Sequence, residues 1–107
     1  MISTELQKNI VQYLLPLKPE KVILFGSYGY GNPDNESDID LLIIKDLPEN
    51  KVRKYRLRVK KILWQKFNQQ NIYFDVLVDN ENRIAERIRI GDLFYKEIYN
   101  KGKVIYA

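Results

Sequence analysis

Leu24-Phe25-Gly26-Ser27 closes one apolar run, and Ser37-Asp38-Ile39-Asp40-Leu41-Leu42-Ile43-Ile44 opens the next. The second run is apolar on both sides of the pleat, which is the pattern of a central strand rather than one with a wet face. Two aspartates stand at its start in an i, i+2 pair. In a strand, residues two apart point to the same face, so Asp38 and Asp40 present their carboxylates side by side. Adjacent carboxylates repel unless a cation lies between them. Magnesium suits such a pair, because it takes oxygen ligands and is commonly shared between carboxylates and substrate phosphates. The Gly26-Ser27 turn offers a backbone that a phosphate can approach closely, free N–H donors and a hydroxyl. Together these features point to metal-dependent nucleotidyl transfer.

The rest of the composition narrows the chemistry. A chain of 107 residues forms a single domain, 1–107, with no room for a separate substrate-recognition domain. Its 45% hydrophobic content suits a globular fold. There is no cysteine and no histidine. Disulfides, thiolate zinc sites, histidine ligation and histidine-based triads are therefore excluded. Catalysis falls to carboxylates, hydroxyls, lysine, arginine or backbone groups. The net charge of +4 permits an anionic partner without requiring one. The start, Met1-Ile2-Ser3-Thr4-Glu5, has no basic region followed by an apolar core, and the apolar runs are too short to span a membrane. The expected compartment is the cytoplasm, with no membrane association.

Periodicity predicts a helix from about Thr4 to Leu15, with Thr4 and Gln7 at capping-box spacing and Pro16 and Pro19 ending it. A strand follows at Lys21–Phe25, a glycine-containing loop from Gly26 to Gly31, a turn at 32–35 and a second strand over Asp40–Ile44. A long helix is expected over about Lys51–Gln69, with an apolar stripe of Val52, Tyr55, Val59, Ile62, Leu63 and Phe67. Its remaining face is basic: Lys51, Arg53, Lys54, Arg56, Arg58, Lys60, Lys61 and Lys66. A third strand is read over Ile72–Val78, and a helix from Asn80 to about Arg89. Asp92 reads as the N-cap of a last helix to Lys101, with Gly102 as its C′ residue and Val104-Ile105-Tyr106 as a short strand or tail. The predicted class is α/β (α+β), a small mixed sheet with helices packed mainly on one face.

The spacing Gly26-Ser27, ten residues, Asp38-Ile39-Asp40 resembles the signature of the minimal nucleotidyltransferases of the DNA polymerase beta superfamily. That family places a third aspartate on a later strand, and Asp75 within Ile72-Tyr73-Phe74-Asp75-Val76-Leu77-Val78 matches it. The C-terminal stretch from Glu97 to Tyr106 also looks like the family's closing helix, glycine turn and apolar tail. The chain departs from the pattern at Tyr30, where many relatives carry arginine. The resemblance implies a polymerase-beta-like fold, ATP as donor and two Mg²⁺ ions. Asp38, Asp40 and Asp75 are then the catalytic and metal-binding residues, and Gly26 and Ser27 the nucleotide-binding ones. Family members of this length resemble the antitoxin half of a toxin–antitoxin module, whose partner is a helical HEPN-type toxin that some of them adenylylate on tyrosine.

Other readings stand beside these. Gly26-Ser27 alone would suit any strand-to-helix turn, and Asp75 would be equally at home on the exposed face of an edge strand. The basic helix face is either a solvated surface or a docking surface for RNA or an acidic partner. No arginine–aromatic interleaving resembles an RNA-binding motif. Alternative functions are transfer to a small molecule or an RNA end, and a non-catalytic subunit that sequesters its partner. Acceptor, base preference and oligomeric state are not written in these residues.

Overall fold

A computed structural model of the chain describes residues 3–26 and 38–107. The elements run α1 (Thr4–Leu14), β1 (Lys21–Phe25), β2 (Ile39–Ile44), α2 (Glu49–Phe67), β3 (Phe74–Asp79), α3 (Glu81–Arg89), α4 (Leu93–Lys101) and β4 (Lys103–Tyr106). The strands form one mixed sheet in the order β3-β2-β1-β4. β1 is antiparallel to both β2 and β4, while β2 and β3 are parallel. A parallel pair needs a long crossover, and the 19-residue α2 supplies it.

Alternation along the strands divides the core into two layers. Val22, Leu24, Ile39, Leu41, Ile43 and Val76 face α1 and α2, where they meet Ile10, Leu14, Tyr55, Val59, Leu63 and Phe67. The Tyr55 hydroxyl reaches across this layer and donates to the Leu17 carbonyl at 3.0 Å. Burial pushes that phenol up to about 12. The larger layer matches the expected one-sided packing. A smaller layer covers the opposite face, where Ile23, Phe25, Leu42 and Ile44 pack against Ile84 of α3 and Ile98 of α4.

Two local expectations are corrected. The cap of α1 is Ser3, whose hydroxyl accepts from the Leu6 amide, so Thr4 is already inside the helix. Gly102 ends α4 with extended backbone, φ −68° and ψ 160°, rather than in the left-handed region. Its need for glycine is steric instead. A Cβ there would collide with the Ile98 carbonyl and lie 3.0 Å from the Ile23 side chain, so glycine lets the chain turn tightly from α4 into β4 against β1.

Candidate active site

The mixed topology brings three chain segments to one end of the sheet. β1 ends at Phe25, opposite Asp40 in the antiparallel register, and Gly26 follows immediately. β2 and β3 begin side by side, with Asp40 in register with Asp75. Asp38 directly precedes β2. By strand alternation Asp40 and Asp75 lie on the face that carries Leu42, Ile44 and Leu77. α3 and α4 cover that face farther along, and Asp75 stays exposed while Asp40 is half-buried. Phe94 of α4 packs edge-on against Phe25, with ring centroids 5.9 Å apart, which fixes the edge of this layer beside the site.

Gly26 and Asp40 are fitted to each other. Gly26 has φ +68°, in the left-handed region, and a Cβ there would fall on the Asp40 carboxylate, 2.9 Å from its Cγ. The glycine thus serves two needs at once: the turn out of β1 and room for the carboxylate. Asp40's own environment is unfavourable to charge. Burial first, then the charges of Asp75 and Asp38, raise its carboxyl above the ordinary value of 3.8. Among the described residues, no hydrogen bond or ion pair offsets the charges of Asp38, Asp40 and Asp75.

These properties fit a divalent cation. The donors are all hard carboxylate oxygens, which suit Mg²⁺ rather than a soft metal, and their mutual repulsion is what a cation relieves. Among the described residues no three acidic side chains close on a common point as a preformed ion cage. The cluster is one of charge rather than of finished coordination.

The structure places Gly26, Asp38, Asp40 and Asp75 at one end of the sheet. It also places Asp75 exposed on the edge strand β3, the position that its non-functional reading expects. Ser27 lies outside the described residues, as do Tyr28, Tyr30 and the turn at 32–35. The close approach of Gly26 and Asp40 is not legible in the sequence, because it depends on the register of β1 with β2.

A mixed sheet that gathers a glycine turn and three aspartates at one end defines a nucleotidyl-transfer scaffold. The chain belongs to the nucleotidyltransferase domain family, whose profile matches residues 5–105, and is a nucleotidyltransferase. It is 31% identical over 102 residues to "Putative protein adenylyltransferase MJ0141" of Methanocaldococcus jannaschii, covering 94% of this chain and 92% of that one. It is 29% identical over 106 residues to "Putative protein adenylyltransferase MJ0604" of the same organism, covering 94% and 97%. Among solved structures, the fold is similar to a toxin–antitoxin crystal structure with AMP-PNP, at TM-score 0.63 and 19% identity over 94% of this chain and 73% of that one. It is also similar to a mutant of the toxin–antitoxin MntA-HpeT, at TM-score 0.60 and 16% identity over 99% and 74%.

Proposed function

We propose that this nucleotidyltransferase is a Mg²⁺-dependent protein adenylyltransferase. It transfers AMP from ATP to a tyrosine hydroxyl of a helical HEPN-type toxin and acts in the cytoplasm as the antitoxin of that pair. The observation that carries the metal-dependent reading is the Asp40 carboxylate, which has no compensating partner among the described residues and whose pKa is raised by burial, then by Asp75 and Asp38. The protein-directed reading is supported by the names of the two archaeal relatives, and the toxin partner by the fold's solved neighbours.

Asp38, Asp40 and Asp75 would hold the metal, two ions in all, which would supply charge stabilisation to the attacking and leaving oxygens. Gly26 lets the phosphate chain approach the backbone, and Ser27 offers it a hydroxyl. Asp75 stands exposed on the edge strand, where a protein acceptor can reach it, and takes up the acceptor's proton. The acceptor oxygen bonds to the α-phosphorus as the bond from that phosphorus to its bridging oxygen breaks, and pyrophosphate leaves.

Intact-mass spectrometry of a helical toxin encoded beside this chain, incubated with the protein and Mg-ATP, tests the reading. The expected result is one AMP adduct, mapped to tyrosine, together with loss of ribonuclease activity. A partner whose mass and activity are both unchanged overturns it in favour of a small-molecule or RNA-end acceptor.

A further inference from the structure

At the other end of β3 the open sheet edge borders a pocket of about 550 Å³ between α2 and the start of α3. Arg53 and Arg56 of α2 and Arg83 of α3 line it. Among the described residues Arg53 and Arg56 have no carboxylate partner, and the Nε of Arg56 is buried without any acceptor. A buried guanidinium N–H without an acceptor is costly. Three guanidinium groups around one cavity are suited to bidentate recognition of anionic oxygens.

The acidic groups of the pocket cancel only part of this. Asp79 pairs with Arg83 at 3.4 Å and also accepts from the Tyr95 hydroxyl at 2.7 Å and the Asn80 amide at 2.9 Å, while Arg53 and Arg56 keep no carboxylate partner among the described residues. Glu49 is exposed at the rim and makes no ion pair within the described residues. The apolar part of the wall is formed by Leu47, Val52 and Val78. A cavity of this size takes a small organic ligand rather than a lone ion. Asp75 is the second residue of β3 and Asp79 the last. At about 3.3 Å per residue the pocket therefore begins roughly 13 Å along the strand from the carboxylate cluster.

We propose that this pocket is a second nucleotide site, distinct from the catalytic end. It takes the phosphates of a nucleoside diphosphate on Arg53, Arg56 and Arg83 and its base against the apolar wall. The site binds without metal, because its charge is supplied by arginine.

Calorimetry on the full chain in EDTA, with ADP and with pyrophosphate as probes, tests this. ADP should bind in EDTA, and binding should survive Asp40→Asn. Arg56→Ala should weaken it about tenfold or more, and Arg56→Lys should weaken it as well, because the charge is kept but the fork is lost. Glu49→Gln should strengthen it. Should Arg56→Ala fail to fold, Arg56→Lys and Arg53→Ala carry the same test. Three results overturn the proposal: no binding of ADP in EDTA, binding indifferent to the arginine changes, or binding lost in Asp40→Asn. Pyrophosphate binding as tightly as ADP overturns the assignment of the base to the apolar wall. None of these measurements depends on transfer activity or on a toxin, so they succeed or fail separately from the adenylyltransferase reading.

Discussion

Asp75 and Asp79 stand four residues apart on the same face of one strand, and the fold treats them in opposite ways. Asp79 is mostly buried, with its side chain 11% exposed, and receives donors from the Tyr95 hydroxyl, the Asn80 amide and Arg83. Asp75 has no donor among the described residues and adds its charge to that of Asp40. The hydrogen bond to Asp79, after burial, pushes the Tyr95 phenol well above its ordinary value. The first carboxylate locks α3 and α4 to the sheet. The second meets no donor among the described residues and has a like charge beside it, an arrangement that costs stability unless a cation is bound. Among the described residues, then, one carboxylate of the strand is held by donors and the other is not, and the proposed chemistry falls to the one without.

The strongest way to break this comparison is to neutralise each aspartate in turn. Asp75→Asn should lower AMP transfer by about a hundredfold or more, because several kcal/mol of transition-state stabilisation depend on such a charge. Its thermal midpoint should hardly move. Asp79→Asn should behave in the reverse sense, with transfer near wild type and a lower midpoint. Transfer assays paired with thermal melts check both. If Asp75→Asn transfers at the wild-type rate, the assigned trio is wrong.

Removing Asp79 altogether sharpens the structural half. Asp79→Ala leaves the Tyr95 hydroxyl without its acceptor in a half-buried position and strips Arg83 of its partner. A loss of about 2 kcal/mol in urea unfolding is expected, within the range for an orphaned buried polar group. Tyr95→Phe should cost less than Asp79→Ala, because it removes one donor and leaves Asp79 with two others. A larger loss from Tyr95→Phe would place the stabilisation in the phenol rather than in the carboxylate.

Gly26→Ala probes the catalytic end through its backbone. The left-handed conformation costs a residue with a Cβ about 1–2 kcal/mol, and the added methyl must displace the Asp40 carboxylate. Stability and transfer should fall together, unlike the split expected for Asp75 and Asp79. A crystal structure of the variant would show whether Asp40 has moved.

The two ends also differ in how far the sequence disclosed them. The aspartate-bearing end was legible because its information is local: Asp38-x-Asp40 fixes one face, the alternation through Tyr73, Asp75 and Leu77 fixes another, and parallel pairing in register unites them. The limits of β1 and the Asp92 cap followed from short-range rules of the same kind, whereas β3 starts two residues after the expected Ile72 and runs one past Val78. Asp79 was silent because its partner Tyr95 lies sixteen residues on, across a helix. The second helical layer was understated for a related reason. In α3 the charges of Arg83, Glu86, Arg87 and Arg89 surround a single buried residue, Ile84, so its inward face is hard to see in the sequence. The choice of Ser3 over Thr4 as cap turns on one residue of register between two equally capable side chains. The glycine at 102 was expected to serve its own backbone and instead serves the close approach of neighbouring strands, which only tertiary structure reveals.

The smallest effect concerns Asp40 without metal. Burial, then Asp75 and Asp38, hold its carboxyl above the ordinary 3.8. The folded protein therefore binds this proton more tightly than the unfolded chain does. Between the ordinary value and the raised one the folded state carries the extra proton, so this contribution to stability is present at low pH and is lost as pH rises through that window. Asp40→Asn removes the loss. In EDTA near pH 7 the variant should be more stable than wild type, by an amount that solvent screening of the partly exposed carboxylate keeps small. The advantage should shrink as pH is lowered towards the ordinary carboxylate value, where wild-type Asp40 is also protonated. Adding Mg²⁺ at neutral pH should stabilise wild type alone and reverse the order. Urea unfolding of both proteins, with EDTA and with Mg²⁺, measures the difference directly. An Asp40→Asn variant less stable than wild type in EDTA would mean that Asp40, like Asp79, has donors that hold it in place, and the contrast between the two ends of the sheet would be lost.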